Sequence, residues 1–317
     1  MKVLHELSAL RRRRKPAAVA VGFFDGVHCG HRAILDTTRA CASEMDGQAW
    51  VLTFDTHPLR ILNPAVAPPL LTSNTHKLRL LERCGMDGCL LLPFTRETAD
   101  TEAEDFVAAL ARAAPPLRRI VAGRNWRFGH GGRGDPTLLR HLLRGTGVDV
   151  TVMRPRVWKG ETISSTRIRS AVQRGSLDET AAMLGRPYSV YGTVTGGIGL
   201  GRRLGYPTAN LDVHNEVLPP YGIYAARAIL HRRRAQRCVG GVVSFGTRPT
   251  LGRRAGREPT CELHVLDFEE NLYGCDVEVF FVHKLRDEQR FSSHRALAAQ
   301  IGRDVAAARA VLAKRAP

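Results

Sequence analysis

The chain has 317 residues, 44% of them hydrophobic, enough to bury two ordinary cores rather than one oversized one. Its net charge of +17 is spread evenly, +9 over residues 1–185 and +8 over the rest, and only six of its 47 basic residues are lysines, so the excess reads as an arginine bias that attracts small anions rather than as a nucleic-acid arm. Seven cysteines with no C-x-x-C pair or zinc-ligand spacing, and no apolar span long enough for a bilayer or a signal-peptide core, exclude a disulfide scaffold and a membrane protein; reduced thiols in a soluble, cytoplasmic protein are expected.

In chain order, the densest basic run, Arg11 to Lys15, has no aromatic platform beside it, and no specific nucleic-acid partner is expected. Val19 to Phe24 predicts a buried parallel-type strand, Asp25-Gly26 the tight turn that ends it, and His31 to Ala42 a helix. Gly30-His31 then falls near a helix N-terminus, where free N–H groups and the helix dipole attract phosphate. His28 and His31 flank Gly30 and face one space. As N–H donors they could neutralise a polyphosphate during transfer; on the four-residue pattern alone they could equally be surface or metal-binding histidines.

Ala49 to Phe54 predicts the next strand, giving β-α-β order and a parallel sheet whose ligands bind beyond the strand C-termini. Asp55 to Pro58 lies at that edge and reads unaided as a strand-ending turn. A helix over Lys77 to Cys84, a strand over Gly88 to Phe94, a helix over Glu102 to Ala113 and strands over Arg119 to Gly123 and Val148 to Met153 follow. Arg124 to Gly129 is a Gly-rich loop with two aromatics. In Ile163 to Arg169, hydroxyls and two arginines at the start of a helix suit a phosphate clamp, and equally a helix cap.

At Leu184 to Tyr188 the character changes. Short alternating runs, Ser189 to Thr195, Tyr224 to Leu230, Gly240 to Phe245, Cys261 to Asp267 and Asp276 to His283, predict an antiparallel barrel, with a terminal helix over Ser293 to Ala313. We therefore divide the chain into domains 1–185 and 186–317. Gly196 to Leu211, GGIGLGRRLGYPTANL, is neither a Walker A loop nor a dinucleotide fingerprint, but its glycines can fold over phosphates. Glu262 and His264 share one face of an alternating strand.

The string Gly22-Phe23-Phe24-Asp25-Gly26-Val27-His28-Cys29-Gly30-His31 resembles the adenylyltransferase motif of prokaryotic bifunctional riboflavin kinase/FAD synthetases, relatives of the wider H-x-G-H nucleotidyltransferases. Asp55 to Pro58 resembles the family's T-F-x-P-H-P segment with Thr56 in place of proline. Leu70-Leu71-Thr72 and its helix also match, with His76 where an acidic residue is common. Arg124 to Gly129 matches with Trp126 replacing phenylalanine, and Ile163 to Arg169 matches without departure. In the second half Gly201-Arg202, Gly205 and Pro207 to Asn210 resemble the riboflavin kinase signature, followed by Tyr221 to Ala225, Gly246 to Thr250 as a flap-like loop, Cys261 to Phe268 with Cys261 replacing an aliphatic residue, Leu272 to Gly274 and Leu285 to Phe291.

The resemblance implies an N-terminal Rossmann-like α/β domain with a parallel sheet and a C-terminal antiparallel β-barrel kinase domain. It implies two reactions: riboflavin and ATP give FMN and ADP, then FMN and ATP give FAD and pyrophosphate, with ATP and Mg²⁺ required. His28, His31 and Glu262 would be catalytic. Phe24, Asp25, Gly26, Gly30, His57, Asn125, Ser164, Ser165, Thr166 and Arg169 would bind nucleotide or flavin for adenylyl transfer, the Trp126 and Phe128 rings flanking a base or isoalloxazine. Gly199, Gly201, Arg202, Gly205, Pro207 and Arg286 would do so for the kinase, and Thr208 and Asn210 would hold Mg²⁺. Arg286 read alone is a surface salt bridge. The rivals are a kinase whose adenylyltransferase half is weak or inactive, motivated by Thr56 and Trp126, and a basic nucleic-acid-binding protein on the same fold. Whether the protein is a homo-oligomer is left open.

Overall fold

The computed structural model describes residues 1–12, 15–113, 116–197, 199–232, 235–246 and 260–314. Two compact units are present: Met1–Leu70 with Asn74–Ser165, and Leu71–Ser73 with Thr166–Pro317. Among the described residues, no helix is long and apolar enough to cross a membrane.

The first unit runs β1 (Lys2–Leu4), β2 (Ala17–Val21), α1 (Cys29–Glu44), β3 (Gln48–Phe54), α2 (Pro58–Leu62), α3 (Asn74–Arg83), β4 (Gly88–Leu92), α4 (Arg96–Asp100), α5 (Ala103–Ala113), β5 (Leu117–Gly123), α6 (Pro136–Leu142) and β6 (Asp149–Met153), then the hairpin β7 (Val157–Trp158) and β8 (Glu161–Thr162). Six strands form one parallel sheet in the order β1-β4-β3-β2-β5-β6. β2 lies inside it and is buried throughout. Ala17, Val19 and Val21 enter one apolar core and Ala18 and Ala20 the other, which is why this strand is continuously apolar rather than alternating. Gly88 is required because the Trp50 ring lies where its Cβ would stand, at 2.2 Å.

The predicted strand to Phe24 ends earlier, at Val21. Gly22 N–H makes one more bond to Leu52 O, and the chain then turns sharply, with Phe24 at φ 57°, Gly26 at 78° and Val27 at 40°. A β-branched residue at positive φ costs about 1–3 kcal/mol, and such strain concentrates at functional sites. The loop's position between β2 and α1, beyond the strand C-termini, agrees with that.

The second unit contains α7 (Ser165–Gln173, its first residue belonging to the first unit), α8 (Leu177–Leu184), β9 (Ser189–Thr195), α9 (Leu200–Arg203), β10 (Ala209–Val213), β11 (Gly222–Arg232), β12 (Ala235–Gly246), β13 (Thr260–Val265), β14 (Asp276–Arg286) and α10 (His294–Lys314). The six strands close into an antiparallel barrel, β10-β13-β12-β11-β14-β9. Ala308, Val305, Val311 and Leu312 of α10 cover one side, against Ile223, Ala225 and Val242. The barrel begins where the sequence changes character, while α7 and α8, counted with the first half by sequence, pack with the second unit. β10 went unread because only its Leu211 is buried; pairing with β9 and β13 makes it a strand. The flap-like loop expected over Gly246 to Thr250 lies outside the described residues beyond Gly246.

Candidate active sites

His28 is the N-cap of α1. Its Nδ1 accepts the N–H groups of Gly30 (3.1 Å) and His31 (3.3 Å), which places the ring proton on Nε2. Gly30 permits this: a Cβ there would stand 3.0 Å from the His28 ring. The two imidazoles stack at 3.6 Å with 16° between planes. Burial, His28 and the cation of Lys77 hold His31 well below the usual histidine range, so it is neutral. Its Nδ1 is buried and has no partner among the described residues. The stacked pair therefore places a neutral His31 beside the ring that caps the N-terminus of α1, where the helix dipole favours an anion.

Around it, the Asp25 carbonyl accepts the Ser165 hydroxyl at 3.0 Å, a bond within the first unit. Ser164 and Ser165 are half-buried there, and Ile163 O lies 4.0 Å from where a Gly30 Cβ would be. Thr166 is exposed and Arg169 buried, both on α7 and both in the second unit. His57 caps α2 through a 3.2 Å bond from Leu59 N–H, and its ring meets Phe23 edge-on at 4.8 Å.

Two expectations need correction. Phe24 is wholly buried, and its ring packs edge-on against His31 at 5.1 Å, so it supports the imidazole instead of presenting a face to a ligand. Phe128 is likewise core, stacked on Trp126 at 4.6 Å and tilted against Phe106; of the two loop aromatics only the partly exposed Trp126 is available to flank a base. Asn125, beside it, is exposed.

The residue that sequence reasoning missed is Lys77 on α3. Its side chain is buried, its Nζ donates to Phe54 O at 2.7 Å and lies 4.5 Å from the Phe23 ring centre. Burial pushes its ammonium down to about 8, against the opposing pull of Cys89, Asp25 and Asp55. No signal in the sequence singles it out: it is one of six lysines, and Lys2, Lys15, Lys159 and Lys314 are exposed.

In the barrel, Thr208 Oγ1 donates to Glu262 Oε2 at 3.0 Å, and Asn210 is the register partner of Glu262. His264 Nδ1 bonds Pro207 O at 2.8 Å, a second tie between the same strand and loop. Gly197 passes so close over Asn210 that a Cβ would fall 1.9 Å from Nδ2, and a Gly201 Cβ would meet Tyr206 O at 2.4 Å and Thr208 Oγ1 at 3.0 Å. Gly199 (φ 69°) starts α9 and Gly205 (φ 84°) follows it; Arg202 and Gly205 are exposed. One cavity of about 180 Å³ has apolar walls including Leu204, Val242, Leu297 and Ile301, with Glu262 at its polar side. A second, of about 390 Å³, is lined by Arg202, Pro207, Asn271 and Tyr273, and Thr208 borders both. The hydroxyl oxygen of Thr208 and the amide oxygen of Asn210 form a hard donor pair that fits Mg²⁺.

Arg286 lines the first cavity, but its guanidinium is committed: bidentate to Asp304 (2.8–3.1 Å) and to Asp287 O at 2.9 Å. The salt-bridge alternative is thus the one observed, though with Asp304 only 7% exposed it is buried rather than superficial.

Fold and sites together define a two-unit phosphate-transfer enzyme, an H-x-G-H nucleotidyltransferase sheet followed by a flavokinase barrel. A family model described as FAD synthetase matches residues 10–167, and one described as riboflavin kinase matches residues 184–312. Bifunctional riboflavin kinase/FMN adenylyltransferases are similar over almost the whole chain. That of Escherichia coli (strain K12) is 35% identical, covering 96% of this chain and 95% of the relative, and that of Haemophilus influenzae is 33% identical, covering 98% and 99%. The Bacillus subtilis protein of the same name is 28% identical, covering 95% and 94%. A solved structure described as a macrolide-efflux protein from Streptococcus pneumoniae shares the fold with a TM-score of 0.80 at 26% identity, covering 98% of this chain and 99% of that one. The chain belongs to the family of bifunctional riboflavin kinase/FMN adenylyltransferases.

Proposed function

We propose that the barrel unit phosphorylates riboflavin with Mg-ATP, giving FMN and ADP, and that the sheet unit joins FMN to a second ATP, releasing FAD and pyrophosphate. The observation that carries this reading is Thr208, which borders both barrel cavities and is hydrogen-bonded to Glu262: one cavity has apolar walls suited to an isoalloxazine, the other is left for the nucleotide.

Glu262 accepts the proton of the riboflavin 5′-hydroxyl as that oxygen attacks the γ-phosphorus. Thr208 and Asn210 hold Mg²⁺, which when bound neutralises charge on the phosphates. Gly197, Gly199 and Gly201 let the backbone approach them, with Arg202, Gly205 and Pro207 framing the same loop. In the sheet unit the FMN phosphate attacks the α-phosphorus of ATP in line and needs no base, being ionised already. His28 donates from Nε2 to the departing pyrophosphate beside His31, with Ser164 and Ser165 alongside. For Thr166 and Arg169, the same role rests on the sequence motif alone. Asn125 and Trp126 take the base, and His57 borders the site. We assign the two functions to residues 1–185 and 186–317, and the location to the cytoplasm, in keeping with seven free cysteines.

Incubating the protein with riboflavin and Mg-ATP and separating flavins over time tests the proposal: FMN is expected first, then FAD with pyrophosphate. Failure to convert supplied FMN would remove the second activity, and failure to phosphorylate riboflavin the first.

A further inference from the structure

We propose that Lys77 is a positioning residue for adenylyl transfer, the buried ammonium that locks the Phe23–Asp25 turn against the end of β3 beside the stacked histidines. The inference rests on the adenylyltransferase reading above. Its basis is geometric. Lys77 is 2% exposed, yet its Nζ spends a 2.7 Å hydrogen bond on Phe54 O, the last carbonyl of β3, and sits over the ring of Phe23, in the turn after β2. β2 and β3 are neighbours in the sheet, and a buried ammonium between their C-terminal turns braces both. The same segment is secured by Asn74 Nδ2 to Asp55 O at 2.8 Å and by Thr53 Oγ1 to Phe23 O at 2.9 Å.

A neutral residue could fill the space, so the charge needs a reason. The groups acting on it are Asp25 and Asp55, which favour the ammonium, the thiol of Cys89, which burial keeps protonated, and His31, on which the cation acts in return. With Lys77 charged, His31 stays uncharged and remains a neutral imidazole when the nucleotide arrives. The triphosphate adds negative charge nearby and favours the protonated lysine, so binding and the cation reinforce one another.

The sign follows. The ammonium is present below about pH 8 in the free protein and lost above it, so kcat/KM for FAD formation should fall as pH rises through that value, and the kcat profile, which reports the bound state, should fall at higher pH. Lys77→Met keeps the stem and removes the charge. We expect it to reduce kcat for FAD formation by about ten-fold or more while riboflavin phosphorylation by the same preparation stays within two-fold, to abolish the basic limb of kcat/KM, and to raise the titration midpoint of His31 seen by NMR. Lys77→Arg, charged but bulkier, should retain the basic-side charge and recover part of the rate. Unchanged FAD formation and an unchanged basic limb in Lys77→Met would overturn the proposal, as would a His31 midpoint that does not rise. If the wild type makes no FAD at all, the adenylyltransferase reading fails, and the His31 titration alone then decides whether Lys77 sets the charge of the pair. Should Lys77→Met not fold, the wild-type pH profile and Lys77→Arg carry the test: a profile flat from pH 7 to 9.5 rejects it.

Discussion

The Thr208 hydroxyl points its proton at the Glu262 carboxylate across 3.0 Å, between a loop-borne residue at the entrance to β10 and a strand residue of β13. Thr208 lines both cavities and Glu262 the apolar-walled one, so the bond holds the carboxylate in the first cavity next to the residue that borders the second.

Glu262→Gln preserves an acceptor for Thr208 and so the local geometry, but an amide cannot take a proton. FMN formation should drop by about 10²-fold or more, with conversion of supplied FMN to FAD unchanged. His31→Ala should do the reverse. Measuring both partial reactions on each folded variant is sufficient; a variant that loses both contradicts the division of labour.

His28 has two separable duties. Nδ1 caps α1, and Nε2 is the proposed donor toward phosphate. Asparagine is a good cap, so His28→Asn should keep the thermal midpoint near that of the wild type, while His28→Ala loses about 1 kcal/mol of stability. Both lack the ring donor, and FAD formation should fall by about 10²-fold in each. Equal activity in the asparagine variant and the wild type would show that the cap was the whole role.

Much of this arrangement was legible in the residues. β2, α1 and five of the six barrel strands announced themselves through apolar runs and alternation, and the motifs fell on the turns that the structure places beyond strand ends. What escaped reading depended on partners distant in sequence. β10 is a strand only because β9 and β13 flank it, Phe24 and Phe128 turned inward because cores formed around them, and Lys77 is notable only for the 23 residues separating it from its acceptor Phe54. A motif names residue types; it does not say which side of the backbone each will face.

Gly197 gives a sharper test of the metal-binding assignment. A methyl group there would overlap the Asn210 amide, whereas at Gly196 nothing lies within 4 Å. Gly197→Ala must displace either the loop or Asn210, and should raise the Mg²⁺ concentration needed for half-maximal riboflavin phosphorylation by about ten-fold, leaving FAD formation from FMN intact. Gly196→Ala is the neutral control. If Mg²⁺ titrations of the two variants coincide, Asn210 does not hold the metal.

Arg286 and Asp304 decide between two uses of one arginine. The pair is bidentate, with side chains 15% and 7% exposed, and Gln300 Nε2 adds a bond of 2.8 Å to the same carboxylate, so α10 is fastened to the end of β14. Asp304→Ala strands a buried guanidinium and should cost about 3–5 kcal/mol, whereas changing both residues to apolar ones of similar size, Arg286→Met with Asp304→Leu, should cost much less because no charge is left unpaired. Denaturant midpoints measure the first point and the KM for riboflavin the second. If the arginine's work is to anchor α10 over the apolar cavity, KM in the double variant should return toward the wild-type value along with stability. A KM that stays raised in the restabilised protein would mean that the guanidinium touches the flavin or its phosphate directly, and that Asp304 merely aims it.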